Sequence, residues 1–330
     1  MSSMQHPIRR RAVLGMMLAA VPCAAAADIA GHPPVPAVAR LAHPSRPGGH
    51  TMACWGSSTA EGMSPELAQL ASAYGMTYFN GGAGGQTAEQ ILARIGARPA
   101  RVAASVIPAS GAAVLSSPSM SAMDAASFSA AGDLAGIPGK LSKAHGAQPG
   151  YRFHRRRPGT SVRMPDGTPF LPTEGGDFRA GISHLSIGKN NLTGKHHAAS
   201  DPDTIVEWTH AADTWLTAAG GHVLVWGHFV NTGTHASAPV RRRIYRVNAA
   251  LSIRYGPRYL DLDRLLTHRG IWEMAGIRPT ASDLREQAKG NKPPSLSSNG
   301  AHLNALGYAV LRRVIESKLE NLGWLPHPQR

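Results

Sequence analysis

The feature that most constrains the fold of this 330-residue chain is a regular alternation of short apolar runs and helical patterns. Residues 51–55 form an apolar run, and residues 65–74 carry apolar side chains at helical spacing. A second unit follows, with an apolar run at 76–79 and a helical pattern at 88–95. Strands that alternate with helices of these lengths are typical of a parallel sheet covered by helices on both faces.

The alternation returns after residue 180. Further strands are predicted at 184–187, 223–226 and 259–262. Further helices are predicted at 203–219, 239–255 and 304–322, the last with one apolar face. We therefore expect an α/β fold with a parallel sheet, in which residues 50–97 and 181–330 form one domain.

Residues 98–180 break this alternation. Their first half is rich in Ala, Ser and Gly, and their second half contains short extended stretches at 151–154 and 161–164 that are bounded by turn-forming Pro and Gly residues. A segment of this length exceeds an ordinary loop. We predict an inserted β-rich subdomain at 98–180.

The first 27 residues have the pattern of an export signal. Three arginines at 9–11 precede an apolar run at 12–21 and an alanine-rich stretch at 24–27. The paired arginines resemble a twin-arginine signal, and the apolar run is too short for a permanent membrane span. We expect cleavage after Ala27, a flexible leader at 28–49, and a periplasmic or secreted protein with no integral membrane segment in the mature chain.

Cysteine content and charge limit the possible partners. Cys23 follows Val21-Pro22, a poor lipidation motif, and is expected to leave with the signal, so Cys54 is left without a disulfide partner. The formal charge is +14, and loss of the three signal arginines leaves +11. This excess fits either attraction to anionic polymers or a generally basic proteome. Because no basic run is interleaved with aromatic residues, no nucleic-acid partner is predicted.

Six histidines lie between residues 196 and 235, which raises the question of a metal site. Zinc sites on helices favour histidines four residues apart with a third ligand nearby, and no HExxH motif occurs here. We therefore predict neither a metal nor another cofactor.

A serine stands where the first predicted strand feeds a helix. Gly56-Ser57-Ser58 follows the apolar run, at a point where a helix N-terminus offers N–H donors and a positive dipole end. Serine before a helix is also an ordinary N-cap, so this position alone is a weak signal.

Three other polar loops are expected at the same edge of the sheet. They span residues 80–87 and 187–191, which end strands, and residues 298–308, which open the last helix. Acyl transfer needs a hydroxyl nucleophile, a histidine that takes its proton, and N–H donors for the oxyanion of the tetrahedral intermediate. The four loops contain all of these groups.

At these loops the chain resembles the SGNH hydrolases, also called GDSL esterases, with four blocks in their usual order between residues 54 and 310. The resemblance implies a flavodoxin-like three-layer α/β/α sandwich. It implies that Ser58 is the nucleophile and His302 the base. It further implies an oxyanion hole built from the backbone N–H of Ser58, the backbone N–H of Gly85 and the side-chain amide of Asn190.

Two positions depart from the family pattern. The family's Gly-Asp-Ser appears as Gly56-Ser57-Ser58, and we prefer Ser58 over Ser57 because it occupies the third position. The acid three residues before the catalytic histidine is replaced by Asn299. In a serine protease the corresponding Asp to Asn change lowers kcat by about 10⁴, because the histidine adopts the wrong tautomer.

Three accounts of Asn299 stay open. Its side-chain oxygen orients His302 and leaves a working Ser–His dyad; or another carboxylate replaces it; or the chain is a degenerate binding protein. The candidate carboxylates are Asp261, Asp263 and Asp283. The otherwise complete set of site residues favours the first two accounts.

The sequence thus predicts an exported serine esterase that acts on O-acyl groups, with O-acetyl the simplest choice, of an envelope or extracellular carbohydrate. His228 and Asn231 follow the fourth predicted strand and are candidate substrate contacts. The alternatives are a non-catalytic polysaccharide-binding protein on the same fold and an O-acyltransferase. The predicted insertion is the expected specificity element.

Overall fold

The computed structural model describes residues 50–117, 119–120, 126–144, 150–194, 199–233 and 236–326. The predicted export signal at 1–27 and the predicted leader at 28–49 lie outside these residues. Within the described ranges, every helix is too short or too polar to cross a membrane.

The secondary structure of the described residues follows the predicted alternation. In chain order, the strands are β1 (Thr51–Gly56), β2 (Thr77–Gly82), β3 (Arg101–Val102), β4 (Ser105–Ile107), β5 (Ala112–Leu115), β6 (Phe128–Leu134), β7 (Ile137–Lys143), β8 (Tyr151–Arg155), β9 (Val162–Met164), β10 (Thr168–Pro172), β11 (Ile182–Ser186), β12 (His222–Trp226) and β13 (Tyr259–Leu260). The α-helices are α1 (Ser58–Ala73), α2 (Ala88–Ile95), α3 (Lys189–Thr193), α4 (Pro202–Thr217), α5 (Ala238–Tyr255), α6 (Leu262–Thr267), α7 (Ile271–Ala275), α8 (Ala281–Ala288) and α9 (Ala305–Asn321).

Five strands form a parallel sheet in the order β13-β12-β11-β1-β2. Numbered along the chain, this is the 2-1-3-4-5 order of flavodoxin-like folds. The order reverses between β1 and β11, and open α/β sheets bind their ligands beyond the carboxyl ends of the strands at such a point. The predicted α/β fold with a parallel sheet is confirmed.

Alternate residues of each strand face opposite cores, because successive side chains of a strand point to opposite faces. Met52 and Cys54 of β1 pack with apolar residues of α1, α6 and α9. Ala53 and Trp55 pack on the other face with apolar residues of α2, α4 and α5. The sheet is therefore the middle layer of three, as predicted.

A β-rich region lies between α2 and β11. It contains a six-stranded antiparallel sheet in the order β3-β10-β6-β7-β8-β5 and the antiparallel pair β4-β9. Buried Phe128, Phe153 and Phe170 contribute to a core of its own. The structure thus contains the predicted β-rich region, while the division of the chain into domains at 98 and 180 stays a prediction.

Helix α1 differs most from its predicted bounds. The helical spacing of apolar residues in the sequence places its start at Pro65. The helix begins at Ser58 instead, and Pro65 lies on its exposed side. Proline has no N–H group, so the carbonyl of Glu61, four residues earlier, lacks its helical partner; Glu61 is exposed as well. The extension matters for the site, because it places Ser58 inside the helix.

Candidate active site

Ser58 occupies the first position of α1, directly beyond the carboxyl end of β1 and Ser57. The first N–H groups of a helix have no acceptor within the helix, and here the first intrahelical bond runs from the N–H of Glu61 to the carbonyl of Ser57 at 2.9 Å. The N–H of Ser58 is thus placed to bind an oxyanion at the positive end of the helix dipole. Ser57 stands at the N-cap but makes no side-chain capping bond, so helix capping does not explain this serine pair.

The loop after β2 lies against Ser58. The N–H of Ala83 donates to the carbonyl oxygen of Gly56 at 3.1 Å, which joins the loop to the end of β1. A Cβ placed on Gly84 would lie 3.9 Å from the Cβ of Ser58. Gly85 follows with φ of +75°, a conformation that favours glycine, and it is half-buried. The structure therefore brings the second predicted oxyanion donor close to the predicted nucleophile.

Asn190 and Asn191, both in α3, have different roles. Nδ2 of the half-buried Asn190 donates to the carbonyl oxygen of Gln86 at 2.9 Å, which fixes its side chain beside the Gly85 loop. Asn191 is completely buried; its Oδ1 accepts from the N–H of Ala88 at 2.8 Å and its Nδ2 donates to Glu89 at 2.9 Å. Asn191 therefore ties α3 to α2, whereas the half-buried Asn190 keeps a second Nδ2 hydrogen that its bond to Gln86 does not use.

His302 lies in the turn before α9, and its ring faces Asn299. Nδ1 of His302 is 3.1 Å from Oδ1 of Asn299. The same Oδ1 accepts the backbone N–H groups of Ala301 and His302, both at 2.9 Å. Two backbone donors at one end of an amide identify that end as the oxygen.

This geometry sets the tautomer of His302. Because Oδ1 of Asn299 can only accept, Nδ1 of His302 carries the proton, and Nε2 keeps a lone pair. A histidine that acts as a general base toward a serine needs this tautomer. Asn299 therefore supplies the orientation that the usual acid supplies, without its charge.

The first turns of α1 and α9 pack together, which brings the His302 turn to the same edge of the sheet as Ser58. A Cβ on Gly62, one turn after Ser58, would collide with the ring of Tyr308 in α9. The N–H of Thr232 donates to the carbonyl oxygen of Gly300 at 3.0 Å, so the loop after β12 also borders this turn.

The three alternative carboxylates form hydrogen bonds elsewhere. Asp261 caps α6. Asp263 accepts the N–H of Val230 at 3.0 Å, and burial raises its pKa to about 6. Asp283 is completely buried and binds Thr280 and Ser295. The geometry favours Asn299 itself as the partner of His302.

Lys292 supports the His302 turn and was not predicted from the sequence. Its side chain is completely buried, and Nζ donates to Oγ of Ser297 at 2.6 Å and to the carbonyl oxygens of Asn299 at 2.8 Å and His302 at 3.2 Å. Burial lowers the pKa of Lys292 to about 8, so the ammonium form still prevails at neutral pH. No sequence pattern marks this lysine, because its partners lie in an irregular turn.

The two predicted substrate contacts differ in their surroundings. His228 is 2% exposed, its Nε2 lies 2.9 Å from the carbonyl oxygen of Ile187, and burial lowers its pKa to about 4. The ring is therefore neutral and engaged with the protein, which gives its substrate role no support. Asn231 is also buried, but its Oδ1 has no hydrogen-bond partner among the described residues, and it precedes Thr232 at the His302 turn. Both roles stay predictions.

A metal site was not predicted. In the part of the chain that the structure describes, no group of three or more His, Cys, Asp and Glu residues is arranged to hold a metal ion.

No protein-family model matches the chain, and no curated protein does. Similar solved structures include a proposed acylhydrolase from Bacteroides fragilis, at 12% identity and a TM-score of 0.45 over 82% of this chain and 87% of that one. A GDSL-like lipase from Bacteroides thetaiotaomicron matches at 10% identity and a TM-score of 0.44 over 82% and 88% of the two chains. An acetyl xylan esterase matches at 12% identity and a TM-score of 0.41 over 82% and 98%. All three names are those of acyl or ester hydrolases, the class that the sequence blocks resemble. These similarities are remote, so the proposal below rests on the geometry of the site itself.

Proposed function

We propose that this protein is an exported serine esterase of the SGNH type that cleaves O-acyl esters, with O-acetyl groups of an envelope or extracellular carbohydrate as substrate. The observation that carries the proposal is the contact between Nδ1 of His302 and Oδ1 of Asn299 at 3.1 Å, with the oxygen identified by two backbone donors. That contact leaves Nε2 of His302 ready to accept a proton. A histidine in this tautomer, at the same edge of the sheet as a serine at a helix N-terminus, is suited to acyl transfer.

In the proposed reaction, Oγ of Ser58 attacks the ester carbonyl carbon while Nε2 of His302 takes the hydroxyl proton. The carbonyl oxygen becomes an oxyanion, which the N–H groups of Ser58 and Gly85 and the amide of Asn190 stabilise. The C–O bond to the sugar then breaks, and His302 returns the proton to the sugar oxygen as the alcohol leaves. Water then attacks the acyl-enzyme while His302 takes its proton; the bond between the acyl carbon and Oγ of Ser58 breaks, His302 returns the proton to Oγ, and the carboxylic acid leaves.

The choice of a small acyl group is supported by what lies beside the oxyanion donors. Ala126, which is 3% exposed, lies so near Gly85 that a Cβ on Gly85 would be 3.3 Å from the Cβ of Ala126. Nε2 of Gln86 also donates to the carbonyl oxygen of Ser127 at 3.0 Å. The β-rich region therefore forms one wall next to the Gly85 loop, and this wall supports a small acyl group such as acetyl over long acyl chains.

The first experiment measures hydrolysis of p-nitrophenyl acetate and labelling by a fluorophosphonate, which reacts with activated serines. Ser58→Ala is expected to abolish both, and Ser57→Ala, its matched control on the neighbouring serine, is expected to keep both. Full activity of Ser58→Ala would refute the proposal. Loss of labelling only in Ser57→Ala would transfer the nucleophile to Ser57.

The second experiment addresses substrate and location. Release of acetate from acetylated polysaccharide, at a higher kcat/KM than from acyl chains of eight carbons, is the expected result. Faster transfer of acetyl to a sugar acceptor than to water would replace the esterase with an acyltransferase. Recovery of the protein in the periplasm or medium, dependent on the arginines at 10 and 11, tests the proposed export.

A further inference from the structure

Arg94 of α2 is a buried arginine that contacts the loops around the oxyanion donors. Its side chain is almost fully covered, with the residue 6% exposed. One Nη donates to the carbonyl oxygen of Gly81 at 2.7 Å and to that of Gly56 at 3.4 Å. Gly56 ends β1 two residues before Ser58, and Gly81 lies near the end of β2, four residues before Gly85. One guanidinium therefore joins the strand ends that carry two of the three oxyanion donors.

The third donor is joined to Arg94 through Gln86. Nε of Arg94 donates to Oε1 of Gln86 at 2.7 Å. The backbone carbonyl of the same Gln86 accepts from Nδ2 of Asn190 at 2.9 Å. A continuous hydrogen-bonded path thus runs from Arg94 to each of the three donor-bearing segments.

All hydrogen-bond partners found for this guanidinium are neutral. Two are backbone carbonyls and one is a side-chain amide. Burial lowers the pKa of Arg94 to about 10, which leaves it protonated at neutral pH. Burying a charge is costly unless hydrogen bonds satisfy it, so the planar, five-donor guanidinium strongly constrains the positions of the groups around it.

We propose that Arg94 is a positioning residue that keeps the three oxyanion donors, the N–H groups of Ser58 and Gly85 and the amide of Asn190, at a fixed mutual spacing. This inference rests on the proposed esterase function. Oxyanion donors act only when they match the developing negative charge in the transition state, and a displacement of about 1 Å costs about 10²-fold in rate. Loss of Arg94 therefore lowers kcat more than it raises KM.

The test compares Arg94→Met, which keeps the approximate length but removes every donor, with Arg94→Lys, which keeps the charge and fewer donors. For p-nitrophenyl acetate, kcat per fluorophosphonate-labelled site is expected to fall about 10²-fold in Arg94→Met and about 10-fold in Arg94→Lys, with KM changed less than about threefold. The affinity of an alkyl boronic acid, which mimics the tetrahedral intermediate, is expected to fall by the same factor as kcat. Partial rescue of kcat by lysine, together with a parallel loss of boronic acid affinity, identifies Arg94 as a positioning residue. A residue that only stabilises the fold would change neither kcat per labelled site nor the affinity for the boronic acid.

Arg179→Lys is the matched control. Arg179 is a half-buried arginine that donates to the backbone carbonyl of Trp215 at 2.6 Å. It precedes β11 and so lies near the amino-terminal ends of the strands, away from the carboxyl ends where Ser58 lies. This control is expected to lower the Tm without changing kcat per labelled site. If Arg94→Met does not fold, Arg94→Lys and Gln86→Leu decide the question. Gln86→Leu removes the bond from Nε of Arg94 and the bond from Nε2 of Gln86 to the carbonyl oxygen of Ser127, while it keeps the backbone carbonyl that binds Asn190, and it is expected to lower kcat about 10-fold.

Unchanged kcat per labelled site in Arg94→Lys and Gln86→Leu, with only a lower Tm, would overturn the inference. That outcome differs from failure of the proposed function, which would show as full activity in Ser58→Ala.

Discussion

Replacement of Asn299 by aspartate tests how His302 is oriented. In the structure, Oδ1 of Asn299 already faces Nδ1 of His302 at 3.1 Å, so the histidine has the productive tautomer before any charge is added. Asn299→Asp therefore adds only the attraction between a carboxylate and the imidazolium that forms during reaction. For charges about 4 Å apart this attraction is worth about 1 kcal/mol in water and about 4 kcal/mol at an effective dielectric constant near 20.

The exposure of Asn299 places the expected gain near the lower of these values. A gain of about 1 to 2 kcal/mol corresponds to a rise in kcat of roughly 5- to 30-fold. The acidic limb of the pH profile of kcat/KM is also expected to move to higher pH, because the carboxylate stabilises protonated His302. Steady-state hydrolysis of p-nitrophenyl acetate between pH 5 and 9, normalised to labelled Ser58, measures both effects.

Asn304→Asp is the matched control for this change. Asn304 caps α9 five residues further along the same segment, and aspartate caps a helix as well as asparagine does. The control adds the same charge but loses the bond from Nδ2 of Asn304 to the carbonyl oxygen of Ser295 at 2.9 Å, so it is expected to lower the Tm while it leaves kcat per labelled site unchanged. Asn299→Leu, which removes the acceptor, is expected to lower kcat by more than about 10².

Two results would refute the reasoning. A rise near 10⁴ in Asn299→Asp would mean that the natural asparagine turns its NH₂ toward His302 and imposes the wrong tautomer. No change in either Asn299→Asp or Asn299→Leu would mean that another group orients His302.

Three further variants test other parts of the structure. Gly85→Ala is expected to lower kcat per labelled site at least 10-fold. The φ of +75° costs an L residue roughly 1–2 kcal/mol, and the new Cβ would lie 3.3 Å from the Cβ of Ala126. Wild-type kinetics in this variant would contradict the oxyanion role of Gly85. Lys292→Met is expected to lower both Tm and kcat, the latter by about 10² as the His302 turn loses its donor; a lower Tm with unchanged kcat per labelled site would make Lys292 purely structural. His184 is completely buried, neither ring nitrogen has a hydrogen-bond partner among the described residues, and burial lowers its pKa to about 3. A histidine in the unfolded chain has a pKa near 6.5, so below about pH 6.5 the unfolded chain binds more protons than the folded one. The free energy of unfolding therefore falls as the pH is lowered from 6.5 toward 3, and the loss is about 2 kcal/mol at pH 5. His184→Phe keeps the ring contact with Trp226. Urea unfolding at pH 7.5 and pH 5 is expected to show that the variant no longer loses this unfolding free energy at the lower pH. An equal loss in the variant would exclude His184 as the source of the pH dependence.

The sequence predicts the parts of the fold that repeat. The predicted helix at 88–95 matches α2 exactly in its bounds, because Ile91, Leu92 and Ile95 give it a clear helical period. Strands β1 and β12 are likewise apolar on both faces, which makes each of them visible as an apolar run. The central strand β11 also carries buried Ser183 and His184, and the sequence predicts it at the shifted bounds 184–187. Helices α3, α6 and α7 are five or six residues long, too short for a period to appear, and the sequence does not predict them.

The sequence likewise predicts some residues of the candidate site and misses others. Ser58, Gly85, Asn190 and His302 belong to short sequence blocks whose order along the chain can be recognised. Arg94 and Lys292 cannot be found in that way, because each acts through backbone carbonyls, and carbonyl groups are present at every position of a sequence. Only the folded chain shows which carbonyls face a buried cation.

The contacts of Lys292 show how Asn299 is held against His302 in the proposed site. Lys292 binds the carbonyl oxygens of Asn299 and His302, so it fixes both ends of the turn that sets the histidine tautomer. Orientation of His302 therefore comes from Oδ1 of Asn299, in a turn that Lys292 holds, rather than from a carboxylate. The missing acid would therefore add only its charge, which at this exposed position is worth about one order of magnitude in rate. The corresponding protease variant loses about four orders of magnitude because its histidine adopts the wrong tautomer. Asn299 is consequently compatible with the proposed esterase, whose oxyanion donors would stabilise the transition state independently of any charge beside His302.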